Sequence, residues 1–375
     1  MRDLEQLLSP FPLGAFFEGA RTRPIHIPAG DEPGKRSILD WATFNGLLSQ
    51  TSIWTAATLR MVRDGETVPA EQYCVLADTQ AGKVMRPSPA KVEVQLAGGA
   101  SLIANDVQRL TPAIAGLCDA LSQTFAGLVA ANAYCSFGGV QAFRTHYDLH
   151  DVFAIQTEGE KVWRIYANRA DDPVELPPHA DPRPFFAATR GPLMQEVRMR
   201  PGDVLYLPRG WYHDALATEG ASLHLTLSIT PLYGRILFSL LEQAAMQDPA
   251  FRAWLPPAGS DDGAALSSQL AQLMKRLTDI ALSPFFRDEI AMAQARLTPR
   301  PATYALPERK TLTAFGPTGL MGPRFEGPAA VAMGWALSQQ QFLLEDMIAQ
   351  FDFVPEQALR EAVVLAEASG AIKRL

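Results

Sequence analysis

Between Ala131 and Ile229 the chain offers six short strand candidates separated by turns rich in Gly, Pro and Asp. They are Ala131 to Phe137, Val152 to Gln156, Lys161 to Tyr166, Gln195 to Met199, Asp203 to Leu207 and Ser222 to Ile229. Closely spaced strands on short connections predict an antiparallel barrel or a two-sheet sandwich. Gly159, within Gln156-Thr157-Glu158-Gly159-Glu160-Lys161, reads as the hairpin turn between two of them. Upstream, Val107, Leu110, Ile114, Leu117, Leu121 and Leu128 recur at roughly helical spacing, which predicts a helix between Asp106 and Val129. The first hundred residues mix short helical patterns with strand-like runs, among them Ile25 to Pro28 and Ala90 to Leu96.

Past Thr230 the pattern changes to helical stripes: Ile236, Leu237, Leu240, Leu241 and Ala245, then Leu266, Leu270, Leu273, Met274 and Leu277. Pro/Gly-rich stretches at Leu297 to Leu306 and Gly316 to Pro328 precede a last module, in which Gln339 to Phe351 and Pro355 to Ala368 read as helices. Three domains are therefore expected, at 1–230, 231–300 and 301–375. The helical middle segment carries more apolar surface than one sheet edge would cover, which points to a homodimer.

A formal net charge of −7 without blocks of like charge argues against a nucleic-acid or membrane-surface binder. Residues 301–375 hold six Lys and Arg against eight Asp and Glu, and a DNA-reading module would carry a basic face. The three cysteines, Cys74, Cys118 and Cys135, are scattered without Cys-x-x-Cys spacing, as suits a reducing cytoplasm. No uncharged apolar run reaches membrane-spanning length, and Met1 to Gln6 does not open a signal peptide. A cytoplasmic protein is expected.

Three residues carry the chemistry. His146 and Asp148, in His146-Tyr147-Asp148, share a face if that segment is extended, and His213 follows the run Pro201 to Pro208 in Pro208-Arg209-Gly210-Trp211-Tyr212-His213. That run reads as a turn, a strand and a loop delivering an imidazole to a barrel mouth. Two histidines and one carboxylate on one side of a metal leave positions open for a co-substrate and dioxygen, the arrangement of non-haem Fe(II) oxygenases. Zinc is the competing metal. His150 has the same parity, but residues i and i+4 of a strand lie about 13 Å apart, too far for both to join Asp148 on one ion. His224 reads as a packed core residue, and Tyr147, Phe153, Trp163 and Trp211 as core or pocket wall. His26 and His179 carry no signal.

An Fe(II) site that activates dioxygen needs electrons, which 2-oxoglutarate supplies by decarboxylation after chelating the metal. Its distal carboxylate then calls for a buried cation. Lys161 opens the strand Lys161 to Tyr166 and alternates with Trp163 and Ile165 on the expected inner face, where an unpaired lysine is costly without an anion. Asn132, Tyr134 and Ser136 share one strand face, and Thr226 and Ser228 another, from which they could hydrogen-bond the same carboxylates.

Taken together, Ser101 to Val107, Asn132-Ala133-Tyr134, His146 to Tyr166, Pro201-Gly202-Asp203 to His213 and Ser222 to Ser228 resemble the cupin-like JmjC oxygenases of the ribosomal oxygenase group. The resemblance spans roughly residues 90 to 230. It implies a mainly β fold with helical additions: a double-stranded β-helix catalytic domain, a helical dimerisation region and a C-terminal winged-helix-like domain. It further implies Fe(II) on His146, Asp148 and His213, and 2-oxoglutarate on Lys161 with Asn132 and Ser228 as helpers. The implied reaction is hydroxylation of a protein side chain, with an arginine or histidine of a ribosomal protein as the target class. The rival readings are a tailoring hydroxylase of a small peptide or metabolite, a cupin isomerase using its metal as a Lewis acid, and a non-catalytic cupin scaffold.

Overall fold

The computed structural model describes residues 3–19, 22–80, 82–138, 143–218, 220–298 and 312–375. The chain divides into two compact units, Met1–Pro299 and Arg300–Leu375. In the first, the strands are β1 (Ile25–Ile27), β2 (Leu59–Arg63), β3 (Glu66–Thr67), β4 (Cys74–Thr79), β5 (Gly82–Pro87), β6 (Ser101–Ala104), β7 (Gly127–Phe137), β8 (Asp151–Glu158), β9 (Lys161–Arg169), β10 (Leu193–Met199), β11 (Val204–Leu207), β12 (Trp211–Ala217) and β13 (Ala221–Pro231). Eight form one sheet in the order β1-β11-β8-β13-β7-β6-β2-β3, and three form a second, β10-β9-β12, with antiparallel pairing throughout.

Alternation along the strands decides what each face buries. On the large sheet, Val129, Ala131, Ala133 and Cys135 of β7 and Leu223, Leu225, Leu227 and Ile229 of β13 join one core with Leu4, Leu7, Phe16, Phe44, Ile114, Leu117 and Leu121 from the N-terminal helices and from the helix Pro112–Phe125. On the opposite face, Val152 and Ala154 of β8 meet Trp163 and Ile165 of β9 and Val197 and Met199 of β10. The space between the two sheets is therefore lined by residues of opposite parity to the main core. A single slip of register would exchange the two sets. Leu225 is fully buried between β7 and β8, so Leu225→Ala is expected to destabilise this unit by about 2–5 kcal/mol, read from urea unfolding.

Four expectations need correction here. Ala90 to Leu96 is not strand-like but lies in the helix Pro89–Ala97. Its apolar residues alternate, yet Pro89 occupies the first helical turn and only Val92 is buried, with Val94 two-thirds exposed. Gly159 does sit in a turn, at φ +63°, but β8 and β9 are not a hairpin, because the turn passes the chain from one sheet to the other. His213 lies within a strand, β12, rather than in a loop. The helical run before the barrel is also shorter than expected, with β7 starting at Gly127.

After β13 come the helices Ile236–Ala245, Ala264–Ala281 and Pro284–Leu297. In the second unit, β14 (Ala314–Pro317) lies between β15 (Phe342–Leu343) and β16 (Ile372–Arg374). Helices Gly327–Ser338, Leu344–Gln350 and Glu356–Ala368 pack on it around Met333, Phe342, Met347, Leu359 and Val363. The first of these helices starts inside a stretch that reads as Pro/Gly-rich in sequence. Most of the stretch Leu297 to Leu306 falls outside the described residues.

Candidate metal and co-substrate site

Strand β12 and the segment preceding β8 meet in a one-residue bridge. The His146 N–H donates to the His213 carbonyl at 3.0 Å, and the His213 N–H to the His146 carbonyl at 2.9 Å. His146 is thus extended without belonging to a regular strand. The bridge brings the two imidazoles together with centroids 4.6 Å apart and ring planes tilted by 54°. Asp148, two residues on, brings Oδ1 to 3.9 Å from His146 Nε2 and Oδ2 to 3.5 Å from His213 Nε2. One ligand atom from each of the three residues falls within 4.8 Å of the others.

The histidines are oriented for metal binding. His146 Nδ1 lies 2.8 Å from the Arg144 carbonyl, and His213 Nδ1 lies 2.9 Å from the Trp211 carbonyl. A carbonyl only accepts, so each Nδ1 carries the proton and each Nε2 lone pair is directed to the cluster. Burial, reinforced by His146, lowers His213 to about 4, so it is neutral at physiological pH. Burial opposes ionisation of Asp148, but His146, His213 and His150 outweigh it and hold the carboxyl below its ordinary value. Two imidazoles and a carboxylate suit a divalent metal. No fourth residue joins the group among the described residues, so the donor set fits Fe(II) with open positions better than a closed structural zinc site. His150 stays outside it, with Nδ1 buried and unpartnered.

Lys161 opens β9 on the inner face. It is 2% exposed, paired in register with Met199 and Ala217, and no described residue gives it an ion pair. Burial lowers it to about 8. Around it stand polar atoms that are also buried and unsatisfied: Gln156 Oε1, Trp163 Nε1 and His224 Nδ1. His224 stacks on Tyr134 at 4.8 Å and meets Trp163 edge-on at 5.6 Å, and Trp163 in turn lies 5.8 Å from the ring of His213. An aromatic wall therefore connects the metal cluster to the lysine. Buried groups without partners are rare in folded proteins. Lys161 and the Trp163 N–H supply a cation and an unused donor on one inner surface, which fits one carboxylate of an elongated anion such as 2-oxoglutarate, whereas Gln156 Oε1 can only accept.

Asn132 faces the same interior, its amide bonded to Tyr134 and its Oδ1 accepting the Asp106 N–H at 3.1 Å. Ser228 uses its hydroxyl on the Ala130 carbonyl at 3.3 Å. It lies four residues along β13 from His224, about 13 Å by strand geometry. His224 is buried within this wall, so a polar role that its apolar-strand setting conceals in the sequence emerges from three-dimensional packing. Burial first, and then the charge of Lys161, push its imidazole well below the usual range. The shared parity of Tyr134, Gln156 and His224 with the inner face was the available signal.

Residues 105–235 match the family model described as JmjC domain. Ribosomal oxygenase 1 of Rattus norvegicus is 29% identical over 262 residues, covering 68% of this chain and 42% of that protein. The protein named bifunctional lysine-specific demethylase and histidyl-hydroxylase NO66 of Drosophila pseudoobscura pseudoobscura is 37% identical over 240 residues, covering 60% of this chain and 23% of its own length. The chain thus spans less than half the length of these curated relatives. Among solved structures, the X-ray structure of E. coli ycfD aligns with a TM-score of 0.52 at 16% identity, covering 98% of this chain and 99% of that one, a likeness of fold. The region that matches the JmjC domain contains the convergent His146, Asp148 and His213 and the buried Lys161, and ribosomal oxygenases are among the proteins to which the chain is similar.

Proposed function

We propose that this chain is an Fe(II)- and 2-oxoglutarate-dependent oxygenase that hydroxylates a side chain of a protein. The observation that carries the reading is the convergence of His146, Asp148 and His213 at one end of an interior whose other end holds a buried lysine without an anionic partner among the described residues. When bound, the metal would activate dioxygen with two electrons from the keto acid, which leaves as succinate and carbon dioxide, so that one oxygen atom enters succinate and the other converts a substrate C–H to C–OH. The chain's own residues bind and orient. The Nε2 atoms of His146 and His213 and the carboxylate of Asp148 hold the metal, and Lys161 fixes the far carboxylate of the keto acid. Tyr134, Trp163 and His224 wall the interior from water, and Asn132 and Ser228 add polar contacts along its length. A non-catalytic scaffold would have no use for an unpaired interior lysine, which costs stability.

Within the expected target class, an arginine or histidine of a ribosomal protein, the names ribosomal oxygenase and histidyl-hydroxylase of two relatives support a histidine. The test is whole-proteome mass spectrometry of cells with and without the protein. A side chain in a ribosomal protein should lose the mass of one oxygen atom in its absence, whereas a change confined to small metabolites would replace the protein substrate with a small one.

The rest of the chain is read as assembly and partner surface in the cytoplasm. Among the described residues no helix is long and apolar enough to cross a membrane. The helices from Ile236 to Leu297 expose Phe238, Leu282 and Phe285, which fits a dimerisation region. Light scattering at micromolar concentration is expected to give twice the chain mass of 40.9 kDa, and a monomer would remove this assignment. The three helices and three-stranded sheet after residue 311 are read as a winged-helix-like domain. Their acidic excess suits a structural or protein-binding role rather than DNA contact.

A further inference from the structure

Behind the metal cluster, on the opposite face of the same two segments, four polar side chains close a ring. Thr145 precedes His146 and Asp214 follows His213, so alternation turns both away from the metal. The Thr145 hydroxyl donates to Asp214 Oδ2 at 2.8 Å, and the Tyr166 hydroxyl donates to the same oxygen at 2.6 Å. Arg190 Nη1 donates to Thr145 Oγ1 at 2.9 Å and to Tyr166 Oη at 2.8 Å, with the guanidinium 4.3 Å over the Tyr166 ring. Each hydroxyl gives its one proton to the carboxylate and accepts from the arginine, so donors and acceptors match all round the ring. The four residues come from the segment carrying His146, from β9, from β12 and from the end of the helix Arg183–Thr189, and they line a cavity of about 780 Å³.

We propose that Asp214 is a positioning residue of the metal centre, acting through Thr145, with Tyr166 and Arg190 fixing its carboxylate. The argument rests on the metal reading above. Among the described residues, the segment that carries His146 and Asp148 pairs with β12 through a one-residue bridge, and beyond it only the Gly210 N–H, donating to the Asp148 carbonyl at 3.0 Å just before that strand, links the two backbones, which is little pairing to fix where two ligands point. The ring supplies a further tie between the same two segments, one residue from each histidine. It does so at a cost, because Asp214 is 3% exposed and its Oδ1 has no partner. A contact serving stability alone would be better met by apolar packing. Outer partners that orient metal ligands commonly govern metal affinity.

The test uses Co(II) as the probe on the full chain, reading its dissociation constant and visible absorption band, with thermal unfolding of the metal-free protein measured separately. Thr145→Val, nearly isosteric and outside the metal's reach, is expected to weaken Co(II) binding about tenfold and to change the band, with little change in metal-free unfolding. Thr145→Ser should restore both. Asp214→Asn should weaken binding similarly, and the double variant should be no worse than the weaker single, because both break one ring. Wild-type affinity and band shape in both single variants would overturn the proposal, as would a loss of affinity that merely follows loss of metal-free stability and is not rescued by serine. Failure of the wild-type chain to bind Co(II) would instead sink the metal reading itself, and the proposal with it.

Discussion

Asp148→Ala is expected to weaken Co(II) and Fe(II) binding by more than about 100-fold, beyond the 10–100-fold that loss of an outer partner costs, and to abolish formation of succinate from 2-oxoglutarate. The unfolding midpoint of the metal-free protein should stay within a few degrees of wild type. Asp148 belongs to none of the hydrophobic clusters and its side chain is 27% exposed, so its removal leaves the packing of both sheets intact. What disappears is the carboxylate placed between the two imidazoles. His146→Ala should behave alike, since its ring is held by the Arg144 carbonyl and the bridge to His213 uses backbone atoms only. Metal titration followed by calorimetry checks both, and a variant that bound metal like wild type would remove these residues from the site.

Lys161→Met is expected to make the protein more stable and less able to bind its co-substrate. Burial lowers the Lys161 pKa from 10.5 to about 8. The folded state therefore gives up the proton more easily than the unfolded chain. Between pH 8 and 10.5 the unfolded chain holds more protons, so wild-type stability rises with pH across that window, and below pH 8 the full penalty of about 3 kcal/mol is present. Methionine fills a similar space without a charge. At pH 7 the variant should unfold several degrees higher, with the difference fading toward pH 10.5. Affinity for 2-oxoglutarate should fall about 100-fold, the scale of losing a buried charged partner. In the wild type the same affinity should decline as pH rises above about 8. Calorimetric titration of the metal-loaded protein reads the binding, and unchanged affinity in the variant would free Lys161 of the role.

Much of this site could be read from the order of residues because strand parity is a local property. His146 with Asp148, and Lys161 with Trp163 and Ile165, share faces by spacing alone, and the run ending in His213 carried its own turn signals. What spacing cannot show is which strands become neighbours. Gly159 marks a turn, but whether that turn closes a hairpin or switches sheets depends on partners tens of residues away. The role of His224 follows from Tyr134 and Trp163 arriving on either side, and the ring of Thr145, Tyr166, Arg190 and Asp214 spans 69 residues of sequence. In Ala90 to Leu96 the apolar alternation reads as a strand, whereas the segment is a helix opened by Pro89 in which only Val92 is buried.

The most direct measurement of the central claim is an anaerobic calorimetric titration of 2-oxoglutarate into the wild-type chain with and without Fe(II). Tight one-to-one binding that requires the metal, and is lost in both Asp148→Ala and Lys161→Met, is the expected result. Binding that is indifferent to Fe(II), or no binding in its presence, would contradict it.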